Sequence, residues 1–161
     1  MIDSFMGKYR FLSNFHLCFV QLDGVWYPST ENAYQAAKTD PDLRHDFVTT
    51  EEWVDGKLNT RPTTPKEAKR LGQKVKLRPD WDSVKLQVME DLTRQKFSDP
   101  TLKSMLLETG EHELVEGNYW HDCYWGSCTC VKCGSRTKYN NLGRILMKVR
   151  NELNERPSGT L

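Results

Sequence analysis

Glu31 and Lys38 lie seven residues apart in Thr30-Glu31-Asn32-Ala33-Tyr34-Gln35-Ala36-Ala37-Lys38, and helical spacing places both on one face. A carboxylate there can hold or move a proton beside a reacting sugar. A lysine desolvated at the same pocket is depressed in pKa and can attack an opened sugar aldehyde. The plainer reading is a first-turn glutamate that complements the helix dipole and a lysine in solvent. Polar residues also sit beside aromatic ones elsewhere: Asn14 between Ser13 and Phe15, Asp80 and Asp82 around Trp81, and Asp122 three before Trp125. An aromatic wall edged by carboxylates suits a ring-bearing ligand, whose ring stacks while the carboxylates hold or transform its polar part. Taken singly, Asn14 can cap a turn, Trp81 can be core and Asp122 can be an exposed turn aspartate.

A second group is soft. Cys128, Cys130 and Cys133 form a CxCxxC run, with Cys123 or His121 as a fourth donor, which meets the ligand count of a tetrahedral structural zinc site. Reduced thiols are the other reading, and a closed four-ligand site leaves no position for a catalytic water. The odd total of five cysteines argues against a disulfide framework. No glycine-rich phosphate loop of Walker or dinucleotide type is present.

These groups need a scaffold. Apolar residues flank Asp23-Gly24 over 16–28, which predicts a hairpin with a tight turn. Thr30 is placed to cap the helix that carries Glu31 and runs to Lys38. A short helix is expected over 42–49, and 50–62 reads as a polar loop without periodicity. Thr64-Pro65 opens another helix ending at Gly72, and Leu77-Arg78-Pro79-Asp80 leads into a long one with Val84, Val88, Met89, Leu92 and Phe97 as its buried stripe. Pro100 starts a helix that stops at Thr109-Gly110, Leu114-Val115-Glu116 looks like a short strand, 118–139 is a loop, and Leu142, Ile145, Leu146, Val149 and Leu153 recur at helical spacing.

With 161 residues, one domain must house core, pocket and chemistry together. We expect one α+β, helix-rich domain over 1–155 with a small β-sheet or hairpin, its core drawing on Trp26, Trp53, Trp81, Trp120 and Trp125, and a loose tail over 156–161. The apolar stretches fall short of the roughly 20 residues a membrane span needs, and charges over 1–10 interrupt any signal peptide, so a cytoplasmic protein is expected. A net charge of +1, from 23 basic and 22 acidic residues, gives no broad footprint for nucleic acid and leaves room for a local basic rim.

Read together, the motifs resemble the NADAR or YbiA-like family from end to end. The resemblance rests on Gly7-Lys8-Tyr9-Arg10-Phe11-Leu12-Ser13-Asn14-Phe15, on Tyr27-Pro28-Ser29-Thr30-Glu31-Asn32-Ala33-Tyr34-Gln35-Ala36-Ala37-Lys38, and on Ala68-Lys69-Arg70-Leu71-Gly72. It continues through Leu77-Arg78-Pro79-Asp80-Trp81-Asp82, Lys96-Phe97, Leu114-Val115-Glu116, Asp122-Cys123-Tyr124-Trp125-Gly126 and Asn141-Leu142-Gly143. The resemblance implies an α+β domain that hydrolyses a bond between a ribose carbon and nitrogen. Its substrate would be a riboflavin-pathway intermediate or ADP-ribosylated guanine, the latter free or within DNA or RNA. It implies catalytic roles for Glu31, Asp122 and Lys38, and substrate contacts from Asn14, Trp81, Tyr9, Arg10, Trp125, Gly126 and Asn141. No cofactor is required for that chemistry, and Cys123, Cys128, Cys130 and Cys133 are the candidate ligands of a structural zinc. Two departures stand out: Asn32 where the family often has histidine, which removes an acid or base, and the cysteine run where it often has glycines. The stretch 51–62 is longer than usual and is a candidate lid or specificity loop.

Two carboxylates can share the work of steadying positive charge on the sugar and protonating the departing nitrogen. A module that captures ADP-ribose or a related nucleotide without cleaving it could use the same pocket, and a zinc-stabilised interaction domain is a third class.

Overall fold

Asp23 and Gly24 both adopt positive φ, 49° and 83°, the geometry that a two-residue turn between antiparallel strands demands. They join β1 (Leu17–Leu22) to β2 (Val25–Ser29), which pair antiparallel as the sequence predicts. The computed structural model describes residues 1–156, so the expected loose tail, Arg156 apart, lies outside the described residues. The chain divides into two compact units, Asn14–Lys96 and Met1–Ser13 with Phe97–Leu161.

Within Asn14–Lys96 the organising element is α1 (Thr30–Ala37), all eight residues of which are buried. It packs against β1, β2, α2 (Pro65–Gly72), α3 (Trp81–Lys96) and a 3-10 turn at His45–Phe47. A helix enclosed on every side is ordinarily apolar all round, yet α1 buries Thr30, Glu31, Asn32 and Gln35 among its alanines. The cap is Ser29 rather than Thr30: its hydroxyl accepts from the Asn32 N–H at 3.0 Å. Thr30 is instead the first helical residue, because the extended strand conformation required of a cap ends at Ser29.

Asn32 explains how a polar side chain survives at zero exposure. Its Nδ2 donates to the carbonyls of Phe47 and Thr63, both at 2.9 Å, and its Oδ1 accepts from the Ser29 hydroxyl. The residue is a clamp between α1 and two neighbouring stretches of backbone. Asn32→Ala removes both donors and the acceptor without room for water, so a loss of about 3 kcal/mol is expected, a Tm lower by about 10 °C. Thermal unfolding checks this; a change under about 0.5 kcal/mol would show the clamp to be idle.

The stretch 50–62 is not a loop. It forms β3 (Thr49–Val54) and β4 (Lys57–Pro62), an antiparallel hairpin closed by Asp55-Gly56, both at positive φ. Its side chains, Trp53 at 73% exposure included, face solvent on both sides, so no alternation of polar and apolar residues marks it. The short helix expected over 42–49 is two 3-10 turns, Pro41–Leu43 and His45–Phe47. Helix α2 starts as expected, with Thr64 and Glu67 forming a reciprocal capping box behind Pro65.

In the other unit, α4 (Pro100–Glu108), capped by Asp99, packs against α5 (Asn141–Glu155). Leu102, Leu106, Leu114, Leu142, Leu146 and Val149 supply apolar core, and Phe11 meets Phe97 edge to face at 6.5 Å. Leu114-Val115-Glu116 is not a strand: Leu114 forms an isolated bridge with Ile2, and β5 (Gly117–Asn118) follows, paired in parallel with β6 (Ser127–Cys128). The tryptophans are not mainly core: Trp26, Trp53 and Trp120 are exposed, Trp125 is half-buried and Trp81 alone is buried. Among the described residues, no helix is long and apolar enough to cross a membrane.

Candidate functional site

Position two of α1 places Glu31 at 7% exposure, its backbone N–H bonded to the Asn14 carbonyl at 3.1 Å. One helical turn on, Gln35 Nε2 donates to Glu31 Oε1 at 2.8 Å and fixes the carboxylate. Gln35 is itself wedged against α2: a Cβ at Gly72 would come within 1.8 Å of Gln35 Oε1, so only glycine leaves room for that amide. The glycine of the Ala68–Gly72 motif is thus part of the support for Glu31.

Lys38 caps the C-terminus of α1 on the same face. Burial pushes its ammonium below the usual lysine range; Glu31 opposes the shift, and Lys69 on α2 and Lys85 on α3 add to it. The Lys38 Nζ lies 5.7 Å from the centre of the Tyr34 ring, and that ring packs on Trp81 with centroids 5.2 Å apart, tilted 53°. Trp81 is 6% exposed. Little of its surface is therefore left as an open platform. Asn14 is half-buried and its Nδ2 approaches Met89 Sδ at 3.4 Å. The structure thus places Glu31, Lys38, Trp81 and Asn14 in one unit. It adds Tyr34 and Gln35, both legible in hindsight from i, i+4 spacing to Lys38 and Glu31.

A cleft of about 510 Å³ in the same unit is lined by Asp23, Thr39, Arg44, Arg78 and Asp80, among others, and by none of the residues just named. Both of its arginines are already paired, Arg44 with Asp23 at 2.7 Å and Arg78 with Asp80 at 2.6 Å.

The remaining predicted residues belong to the other unit. Asp122 is half-buried, and its Oδ1 accepts from the backbone N–H groups of Tyr124 (3.1 Å) and Trp125 (2.8 Å). Asn118, 4% exposed, grips the Asp122 backbone from both sides, donating to its carbonyl at 2.8 Å and accepting from its N–H at 3.2 Å. Gly126 is required by space: a Cβ there would meet Glu116 Oε2 at 1.9 Å and the Glu116 carbonyl at 2.2 Å. The N–H groups of Asn141 and Leu142, at the start of α5, are bonded to the carbonyls of Tyr124 and Trp125 at 3.1 and 3.0 Å. Asp122, Trp125, Gly126 and Asn141 are therefore one hydrogen-bonded assembly, and a shallow pocket of about 430 Å³ opens beside Asp122, Tyr124, Arg136 and Tyr139. Tyr9 and Arg10 lie on a 3-10 turn, Gly7–Leu12.

Among the described residues, His121, Cys128, Cys130 and Cys133 bring their donor atoms within 4.8 Å of one another and could hold a metal ion. That group includes His121 and not Cys123.

A riboflavin biosynthesis protein of Vibrio vulnificus is 36% identical over 151 residues, 92% of this chain, and the chain spans only 36% of that relative's length. An N-glycosidase of Nostoc punctiforme is 34% identical over 90% of this chain and 86% of the relative. N-glycosidase YbiA of Escherichia coli is 33% identical over 90% of this chain and 82% of its own. The NMR structure of E. coli YbiA superposes with a TM-score of 0.73 at 30% identity, covering 100% of this chain and 92% of that one, and the mixed α+β architecture is shared. The NADAR domain family model matches residues 4–154, and the chain belongs to that family.

Proposed function

We propose that this protein is a cytoplasmic N-glycosidase that hydrolyses a ribosyl C–N bond. The observation that carries this reading is the pair on α1: a carboxylate held at 7% exposure and an amine whose proton is destabilised by burial, on one helical face beside an aromatic ring. Relatives named N-glycosidase and riboflavin biosynthesis protein support the same reaction class.

In the reaction, the C1′–N bond breaks, the departing nitrogen gains a proton, and water supplies the hydroxyl that C1′ retains. Glu31 activates that water or steadies the cationic sugar, and Gln35 keeps its carboxylate oriented. Neutral Lys38 attacks C1′ of the ring-opened glycosylamine, the bond from C1′ to the departing nitrogen breaks as that nitrogen takes a proton, and water hydrolyses the resulting lysine imine to the sugar aldehyde and free lysine. Tyr34, backed by Trp81, walls the amine from solvent. Asp122 Oδ1 fixes the Tyr124–Trp125 turn. Side chains and water suffice, with no cofactor in the chemistry.

Two substrates fit this scheme: ADP-ribosylated guanine, free or in an oligonucleotide, and a ribosylamino-pyrimidine phosphate of the riboflavin pathway. Incubation with each, followed by mass spectrometry, is expected to release ADP-ribose from the first or ribose 5-phosphate from the second. Silence on both, with calorimetric capture of intact ADP-ribose, would replace the hydrolase with a binding module.

A further inference from the structure

Residues 127–138 contain a single large apolar side chain, Val131, and it is 98% exposed. Burial of hydrocarbon therefore does not hold this stretch in place. What it buries is sulfur: Cys128 is 1% and Cys133 0% exposed, and all the cysteines are free thiols.

We propose that His121 Nδ1 and the thiolates of Cys128, Cys130 and Cys133 bind one zinc ion in a closed tetrahedral site that holds this loop and, through it, the Asp122 turn. A tetrahedral zinc with bonds of about 2.3 Å to sulfur and about 2.0 Å to nitrogen spaces its donors about 3.5 to 3.8 Å apart. His121 Nδ1 stands 3.2 Å from Cys130 Sγ and 3.4 Å from Cys133 Sγ, close to that spacing.

The surrounding bonds are those a metal thiolate needs. The backbone N–H groups of His121 and Cys130 point at Cys128 Sγ, at 3.3 and 3.5 Å, and offset negative charge on that sulfur. Cys130 caps and Cys133 ends a single 3-10 turn, Val131–Cys133, and both sulfurs reach the same His121 Nδ1. His121 takes a left-handed backbone, φ 73°, which a residue with a side chain adopts at a cost. Binding releases the three thiol protons to solvent, and three thiolates with one imidazole favour zinc over harder cations. With four protein donors the ion has no place for water, so its role is structural.

The connection to Asp122 is covalent and short, since His121 precedes it directly. Asn118 closes the same loop from the other side, its carbonyl accepting from the Thr129 N–H at 2.8 Å.

The test is metal analysis of the full chain expressed in zinc-supplemented medium and purified without chelator. Wild type and Cys123→Ser should each carry about one zinc per chain, and His121→Ala and Cys130→Ser below about 0.1. If a variant fails to fold, cobalt(II) added to metal-stripped wild type decides the matter, with the visible bands of tetrahedral cobalt–thiolate expected. Wild type holding less than about 0.1 zinc after reconstitution, an ion other than zinc, octahedral cobalt spectra, or zinc retained by His121→Ala and lost by Cys123→Ser would each overturn the proposal. Thiol titration adds a readout independent of activity: three cysteines should become reactive on chelation, while Cys18 and Cys123 react before it.

Discussion

Glu31→Gln is expected to lower turnover on a proven substrate by about 10²-fold or more while leaving thermal stability almost unchanged. The substitution is nearly isosteric, and a glutamine oxygen can still accept the Gln35 Nε2 hydrogen bond that spans 2.8 Å to Glu31 Oε1. What disappears is the negative charge, and with it the ability to take a proton from water or face a cationic sugar. Steady-state kinetics beside a melting curve separates the two contributions. Turnover within a few-fold of wild type would remove Glu31 from the chemistry and leave it a buried structural acid.

The second large effect concerns the amine. Lys38→Met is expected to cut turnover by about 10²-fold or more and to abolish an adduct that borohydride traps in the wild type. Reduction of the imine leaves a stable secondary amine on the Lys38 peptide, read directly by mass. The sign of the pH dependence follows from the groups that face this nitrogen. Burial and the charges of Lys69 and Lys85 favour the neutral amine, and Glu31 favours the ammonium. The folded pKa lies below the ordinary lysine value, so the trapping rate should rise with pH and level off below 10.5. Removing the Glu31 charge should move that break to still lower pH. A trapping rate independent of pH, or an adduct that persists in Lys38→Met, would show that another nucleophile forms it.

Much of this site could be read before any fold was known, because helical spacing is a strong local rule. Glu31 and Lys38 share a face by arithmetic alone, and the Asp23-Gly24 turn announces its hairpin. The second hairpin carries the same announcement in Asp55-Gly56, yet both of its faces are solvated, so the alternation that normally accompanies such a turn is missing. Asn32 was legible only as the absence of a histidine. Its role as a clamp depends on the Phe47 and Thr63 carbonyls, which come from 15 and 31 residues away. His121 and Cys123 were equal candidates for a fourth donor by spacing. The structure brings the His121 imidazole, and not the Cys123 sulfur, into one group with the other three sulfurs. Trp81 reads as a stacking surface because tryptophan beside carboxylates so often is one, whereas its contact with Tyr34 is a tertiary fact.

The enclosure of α1 also governs how this protein fails. Amide groups in a helix covered on every side exchange with solvent only through large opening events, so the backbone beneath Glu31 and Lys38 has few partly disordered states to visit. Damage elsewhere in Asn14–Lys96 should then act on the fraction of molecules folded and leave the turnover of each intact molecule nearly constant. Ageing, heat or a distant substitution would thin the population of active copies without producing sluggish ones.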